Sequence, residues 1–490
     1  MINHFKRLMS QVLIYGLGDA INKLAAILIL PLFTHYLTPA NYGVAAILTV
    51  TTTLLSGVAD LGILIGVYRY YPGEDEKTKI RIISVAQIVV VGLTVIMSAL
   101  AIFFAAPLSQ LFFNTTQYSH LLVLNFLAMP FTVFIIAPLA QFKLEDKAKF
   151  TAGFKIFKVL LDLGVKTILI VGLNRGVLGL FEGQLYAAII CAIVMAFYSL
   201  KRTKFYFSIE LFKKMLSFGL PSALSPVSFW VLNWADRFIL GKIATITEVG
   251  LYTLGYTMGM AIMIPITAFE TAWQAAYVSI STDPRAKQIY ALILSYYTLI
   301  IVFIALIIVI FSRDYFEIFT TGSFHGAWIV VPVITLAYIL RGNYTVMTAA
   351  SFIAKKTIFI LITEISAAVV NVILLFVLIP HLGRMGAAWA TALAFLILPV
   401  LMYVLTRKSY RIYYEWVRII QIFSVGGLIF WLCQLVYAPT WQNILLRVGL
   451  IMLYPVLLYI TNFFKREELV VLRDALNKYT KFKKTVEIEE

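Results

Sequence analysis

The chain has 490 residues, 61% of them hydrophobic and only 13% charged, yet it carries a formal net charge of +16. That much apolar surface exceeds what a soluble core buries, so an ordinary soluble globular domain is excluded. The positive excess is spread over short segments between apolar runs, which points to membrane orientation and anionic headgroups rather than to nucleic acid.

A hydrocarbon layer needs roughly 20 apolar residues per helix. Fourteen stretches qualify: 8–34, 43–68, 80–106, 119–142, 154–174, 177–200, 215–241, 250–280, 289–312, 327–350, 357–379, 385–406, 418–437 and 443–463. They are too long, and too poor in alternation, for the strands of a membrane barrel. The expected fold is therefore an all-α integral membrane protein of about 14 transmembrane helices.

In chain order, the first span follows Met1–Arg7 without a small-residue cleavage pattern and reads as a retained helix. It carries Tyr15, Asp19, Asn22 and Lys23 on one face, and the second span carries Asp60. The fifth holds Lys158, Asp162 and Lys166 at i, i+4 and i+8, which places all three on one side of a helix. Such a stripe suits a phosphate-bearing ligand, or else forms a structural ion network between helices. The sixth opens on Gly176-x-x-Gly179-x-x-x-Gly183, a face of small residues that lets helices approach closely.

In the seventh span Pro221 and Pro226 suggest a hinge, and Arg237 lies near an end from which it is expected to snorkel, as is Arg447 in the fourteenth. The eighth places Glu270, Trp273, Gln274 and Tyr277 on one face, a mixture able to stack on and hydrogen-bond a sugar. Arg341, mid-way along the tenth, is too deep to reach water easily, and Glu364 sits in the eleventh. The acids Asp60, Asp162 and Glu364 are candidates for binding a coupling proton or cation, or for pairing with a neighbouring base. The last segment, Lys465–Glu490, alternates basic and apolar positions and forms either a helix on the membrane surface or a solvated tail.

Basic residues crowd every second gap. Thirty of the 40 Lys and Arg fall in segments that share one side, against only Arg175, Lys242, Arg313 and Arg384 in the alternate gaps. The positive-inside rule then puts both termini in the cytoplasm. A duplication also shows: Phe218-Gly219 echoes Tyr15-Gly16, Val249-Gly250 echoes Tyr42-Gly43, and Gly383-x-x-Gly386-x-x-x-Ala390 echoes the sixth-span motif, at offsets of 203, 207 and 207. The expected division is a six-helix bundle over 1–205, a second over 206–410, an extra helix pair over 411–464 and a tail over 465–490.

Cys191 and Cys433 fall inside spans and imply neither disulfide nor metal. There is no Gly-rich phosphate loop, no His or Cys cluster and no nucleophile beside a base, so no cofactor or catalytic chemistry is expected.

With these residues in view, the chain resembles the Wzx-type oligosaccharide flippases of the multidrug/oligosaccharidyl-lipid/polysaccharide exporter superfamily. The likeness rests on Leu37-Thr38-Pro39-Ala40-Asn41-Tyr42-Gly43, on Asp60-Leu61-Gly62 followed by Arg69-Tyr70, and on Asn233-Trp234-Ala235-Asp236-Arg237-Phe238-Ile239-Leu240-Gly241. Val249-Gly250-Leu251-Tyr252 and Ala272-Trp273-Gln274 also fit, although Ala275-Ala276 stand where family members often carry a proline. The resemblance implies a V-shaped pair of bundles in the cell inner membrane. Such a protein moves a polyprenyl-diphosphate-linked oligosaccharide to the outer leaflet by alternating access, beside other polysaccharide-assembly membrane proteins. On that reading Lys23, Lys158, Lys166 and Arg341 hold the diphosphate, and Glu270, Trp273 and Gln274 contact sugar. A cation-coupled drug exporter of the same superfamily is the alternative. A membrane polymerase or ligase is the third reading, against which stands the lack of a large outer loop.

Overall fold

Thr38 sets the start of α1 (Pro39–Asp60): its hydroxyl accepts the Asn41 N–H at 3.3 Å, and Pro39 occupies a position where a helix has no use for an N–H. At the other end Leu61 and Gly62 take positive φ values of 49° and 75°, so the expected second span is broken and resumes as α2 (Ile63–Tyr70). The computed structural model describes residues 24–25, 27–199, 205–220, 224–437, 440–465 and 468. Tyr15, Asp19, Asn22, Lys23, Pro221 and nearly all of the tail lie outside the described residues.

Asp75 caps α3 (Glu76–Phe103), which is followed by α4 (Ala105–Phe113) and α5 (Ser119–Phe134). Pro138 denies Phe134 its hydrogen-bonded turn, and the fourth span accordingly divides at Ile135 into α5 and α6 (Ile136–Leu144). Next come α7 (Ala148–Thr167), ending in a widened turn over Ile168–Gly172, and α8 (Gly176–Ser199). A short helix α9 (Ile209–Gly219) precedes α10 (Leu224–Ile243), α11 (Ile246–Gly259) and α12 (Met263–Ile280). The remainder is α13 (Ala286–Phe319), α14 (Val331–Ile353), α15 (Ile358–Leu382), α16 (Arg384–Thr406), α17 (Trp416–Leu435) and α18 (Trp441–Ile460).

The described residues are all-helical, and eleven helices are long and apolar enough to cross a membrane. The chain is a multi-pass membrane protein. The first expected span is described only in part. The fifth carries Lys155, Lys158, Asp162 and Lys166, and the seventh Asn233, Asp236 and Arg237, which lower their mean hydropathy.

The chain divides into two compact units, Met1–Asp283 with Ser312–Arg411, and Pro284–Phe311 with Ile412–Glu490. In the first, α1 packs on α10 and α11, α5 on α3 and α8, α7 on α8, α2 on α9, and α16 on α14 and α15. Ile63, Val67, Ile83, Ala86, Met129 and Met215 fill the core between α2, α3, α5 and α9.

The second unit is held by Phe303 stacking on Tyr454 at 6.0 Å and by an ion cluster in which Arg418 meets Glu468 at 2.8 Å and Lys465 meets Glu415 at 2.7 Å. Arg447 does not snorkel. It is 1% exposed, with its guanidinium over the rings of Phe311 and Tyr437 at 5.4 and 5.3 Å.

Some positions 207 apart share local backbone features. Thr245 caps α11 as Thr38 caps α1, accepting the Glu248 N–H at 3.2 Å. Gly176 and Gly383, which open α8 and α16, both have φ of +54°, a value that L side chains rarely adopt. All these pairs are 207 positions apart.

Candidate functional site

Helix α7 presents Lys158, Asp162 and Lys166 to a cavity of about 440 Å³ in the first unit. The i, i+4 spacing that aligns them also closes an ion pair, Lys166 Nζ donating to Asp162 Oδ2 at 2.7 Å. Gly183 of α8 makes room for the Lys166 stem. A Cβ at that position would lie 2.7 Å from Lys166 Cγ and 3.1 Å from its Cα.

Lys158 differs from its neighbour. Its ammonium is half-buried, feels Asp162 and Lys166 only through space, and makes no hydrogen bond or ion pair among the described residues. A cation held in low dielectric without a partner is costly, so two lysines against one aspartate leave this wall with an unmet demand for an anion.

The facing walls are uncharged and mix polar groups with the apolar side chains of Met129, Val133, Ile136 and Ala188. Thr49, Thr52, Thr53 and Ser56 of α1 line the cavity together with Asn125 and Thr132 of α5 and Gln184 of α8. Asn125 ties the helices by donating to the Leu48 carbonyl at 2.9 Å while its Oδ1 accepts from Gln184 at 3.0 Å. The hydroxyl wall was not anticipated from the sequence, although the spacing 49, 52, 53, 56 is itself a helical face.

Lys23 lies outside the described residues, and the other expected site residues among those described do not line this cavity. Asp60 accepts the Leu64 N–H at 3.2 Å and so caps α2 after the break at Leu61 and Gly62. Glu270 accepts from the Thr345 hydroxyl at 2.9 Å, joining α12 to α14. Trp273 is 3% exposed, stacked on Phe269 at 5.8 Å and flanked by Tyr277 at 6.1 Å, while Gln274 on the same helix is exposed. Arg341 lies over the Phe395 ring at 5.9 Å and within electrostatic reach of Glu364 on α15. Of the described residues expected to hold the diphosphate, Lys158 and Lys166 line one cavity, with Asp162 between them.

Arg237 departs from expectation. It is 2% exposed and Asp236 1%, so it does not snorkel. Its guanidinium donates to Asp236 Oδ1 and to the Asn233 carbonyl, each at 2.7 Å, and lies 4.1 Å from the ring centre of Tyr256, 4.9 Å from that of Trp234 and 5.5 Å from that of Tyr252. Tyr252 donates to Asp236 Oδ2 at 2.5 Å, the Tyr256 and Tyr338 hydroxyls are 2.7 Å apart, and Tyr338 reaches Asn233 at 3.2 Å. This network joins α10, α11 and α14 and is closed to solvent.

Residues 32–329 match the sequence profile of a family described as polysaccharide biosynthesis protein. Among solved structures, the lipid II flippase MurJ in an inward closed conformation is similar with a TM-score of 0.74 at 15% identity, over 92% of this chain and 99% of that one. The MATE multidrug transporter DinF-BH gives 0.57 at 18% identity, over 82% and 95% of the two chains. An inward-facing MATE family multidrug resistance transporter of the MOP superfamily gives 0.56 at 15% identity, over 85% and 94%. No curated protein matches the sequence.

Proposed function

Because the chain belongs to the polysaccharide biosynthesis protein family and has the fold of MOP-superfamily transporters, we propose that it is a flippase. Its substrate is a polyprenyl-diphosphate-linked oligosaccharide, carried from the cytoplasmic to the outer leaflet of the inner membrane, with both termini cytoplasmic. The observation that carries this reading is Lys158: a half-buried lysine, unpaired among the described residues, beside the Asp162–Lys166 pair on the wall of a cavity with a hydroxyl stripe.

The chemistry of such a substrate fits these walls. A diphosphate supplies the anion that Lys158 lacks. The lipid tail remains in the bilayer, and the two six-helix halves, 1–205 and 206–410, exchange which side of the membrane the headgroup meets. Lys23 and Arg341 are proposed as further cations along that path. A negative-inside potential drives an anionic headgroup outward by about 2.3 kcal/mol per charge per 100 mV, so no cofactor or catalytic step is needed.

A second reading, a cation-coupled drug exporter, draws on the likeness to DinF-BH and on the acids Asp60 and Glu364. It leaves the excess positive charge of the α7 wall unexplained.

Liposomes reconstituted with the protein and a polyprenyl-diphosphate oligosaccharide distinguish the two. Protein-dependent exposure of sugar on the opposite leaflet is expected, and is abolished by the Lys158→Gln/Lys166→Gln pair. Sodium- or proton-driven dye efflux with no sugar exposure would overturn the flippase reading.

A further inference from the structure

The four hydroxyl residues of α1 that line the cavity stand at i, i+3, i+4 and i+7, so the stripe follows one helical face for two turns. Thr51, between them in sequence but off the stripe, is 7% exposed and spends its hydroxyl on the Ile47 carbonyl at 2.8 Å. Within the stripe, Thr49 donates to Ala45 O at 2.8 Å, Thr52 to Thr49 O at 3.0 Å and Thr53 to Thr49 O at 2.8 Å. The three threonine protons are therefore directed to the helix, while their oxygen lone pairs remain. The stripe is a wall of hydrogen-bond acceptors. Across the cavity, α7 offers cationic donors.

A bare phosphate or diphosphate has no protons to give such acceptors, and a hydrophobic drug has no use for them. The ligand that satisfies both walls is an anion bonded to a group rich in hydroxyl donors. We infer that Thr49, Thr52, Thr53 and Ser56 recognise the sugar residue attached directly to the diphosphate, by accepting hydrogen bonds from its hydroxyls. The inference rests on the reading of the α7 wall as the diphosphate site. It moves sugar recognition away from Trp273, whose ring is enclosed by Phe269 and Tyr277.

Two probes separate the inference from its premise: a short-chain prenyl diphosphate, and the same compound carrying one N-acetylhexosamine. Binding of each to the purified full-length protein is measured by microscale thermophoresis. Wild type binds the sugar-bearing probe more tightly. The near-isosteric Thr49→Val/Thr52→Val/Thr53→Val variant loses that preference by on the order of tenfold, the sum of a few modest hydrogen bonds, while the corresponding Thr→Ser triple variant keeps it. Monodisperse elution and retained affinity for the sugar-free probe show that the valine variant is folded. An undiminished sugar preference in the valine variant would overturn the inference and leave the anion site standing. If wild type fails to bind the sugar-free probe, or Lys158→Gln binds it equally well, the anion site falls and the inference with it.

Discussion

Gly43 and Gly250 make reciprocal contacts across the start of α1 and α11: a Cβ on Gly43 would lie 2.0 Å from the Ile246 carbonyl oxygen, and one on Gly250 would lie 1.8 Å from that of Pro39. Because Ile246 and Gly250 stand 207 positions beyond their counterparts, Pro39 and Gly43, the two corresponding five-residue segments, 39–43 and 246–250, pack against each other. The starts of α1 and α11 thus cross backbone on backbone.

Substitution there has a defined cost. In Gly250→Ala the new methyl meets a backbone oxygen, which cannot swing aside as a side chain can, so α1 and α11 must part. Overpacking of this kind costs about 1–3 kcal/mol. A lowered melting temperature in detergent is expected, with Gly43→Ala similar. Gly57→Ala, inside α1 with nothing within 4 Å of its Cβ position, serves as the control and is expected to melt no lower than wild type. Equal melting of all three would show that the crossing carries no weight.

The two lysines of α7 are expected to respond differently. Lys158→Gln removes an unpaired charge, so it weakens anion binding and sugar exposure while the melting temperature holds or rises. Lys166→Gln instead strands the Asp162 carboxylate, with side-chain exposures of 17% and 29% for Lys166 and Asp162, and lowers stability by on the order of 1 kcal/mol. Adding Asp162→Asn to Lys166→Gln recovers that loss. A thermal double-mutant cycle reads the coupling directly; additive effects would mean that the pair is not formed.

The membrane spans were legible because twenty apolar residues leave little alternative, and the α7 stripe was legible because i, i+4, i+8 is local geometry. What depends on the partner helix was not. Arg237 reads as a snorkelling residue from its distance to the end of its span, but its burial is decided by Tyr252 and Tyr256 on α11 and Tyr338 on α14, more than a dozen positions away in every case. Trp273 reads as a sugar contact until Phe269 and Tyr277 are seen beside it. The hydroxyls of α1 gave little signal, since Thr and Ser in an apolar helix satisfy themselves on their own carbonyls, and only the cavity identifies the open face.

Glu145, just beyond α6, is expected to make stability pH-dependent. Burial alone would raise its carboxyl, but hydrogen bonds from Lys147, Gln141 at 2.8 Å and Tyr71 at 2.9 Å outweigh burial and hold it below the ordinary glutamate value of 4.5. A carboxyl depressed in the folded state adds stability that is complete above 4.5 and fades as pH falls through the lowered value. The melting temperature of wild type should therefore exceed that of Glu145→Gln at neutral pH, and the gap should close on acidification. A gap independent of pH would assign the effect to shape rather than charge.

The Asp236–Arg237 pair tests whether a buried network in this protein stabilises or only specifies. Removing one partner leaves the other charge in the interior, so Arg237→Met and Asp236→Leu are each expected to cost about 3–5 kcal/mol and to reduce the yield of folded protein. The Asp236→Leu/Arg237→Met double variant removes both charges. It should recover most of that loss, since well-packed apolar residues often replace a buried pair without penalty. Recovery cannot be complete, because Tyr252 loses its acceptor on Asp236 and the Asn233 carbonyl loses its donor. Adding Tyr252→Phe removes one of these orphaned groups and should bring the melting temperature closer still to wild type. If the double variant is as unstable as either single one, the pair contributes net stability, and the tyrosine rings around Arg237 are bound to it as a unit.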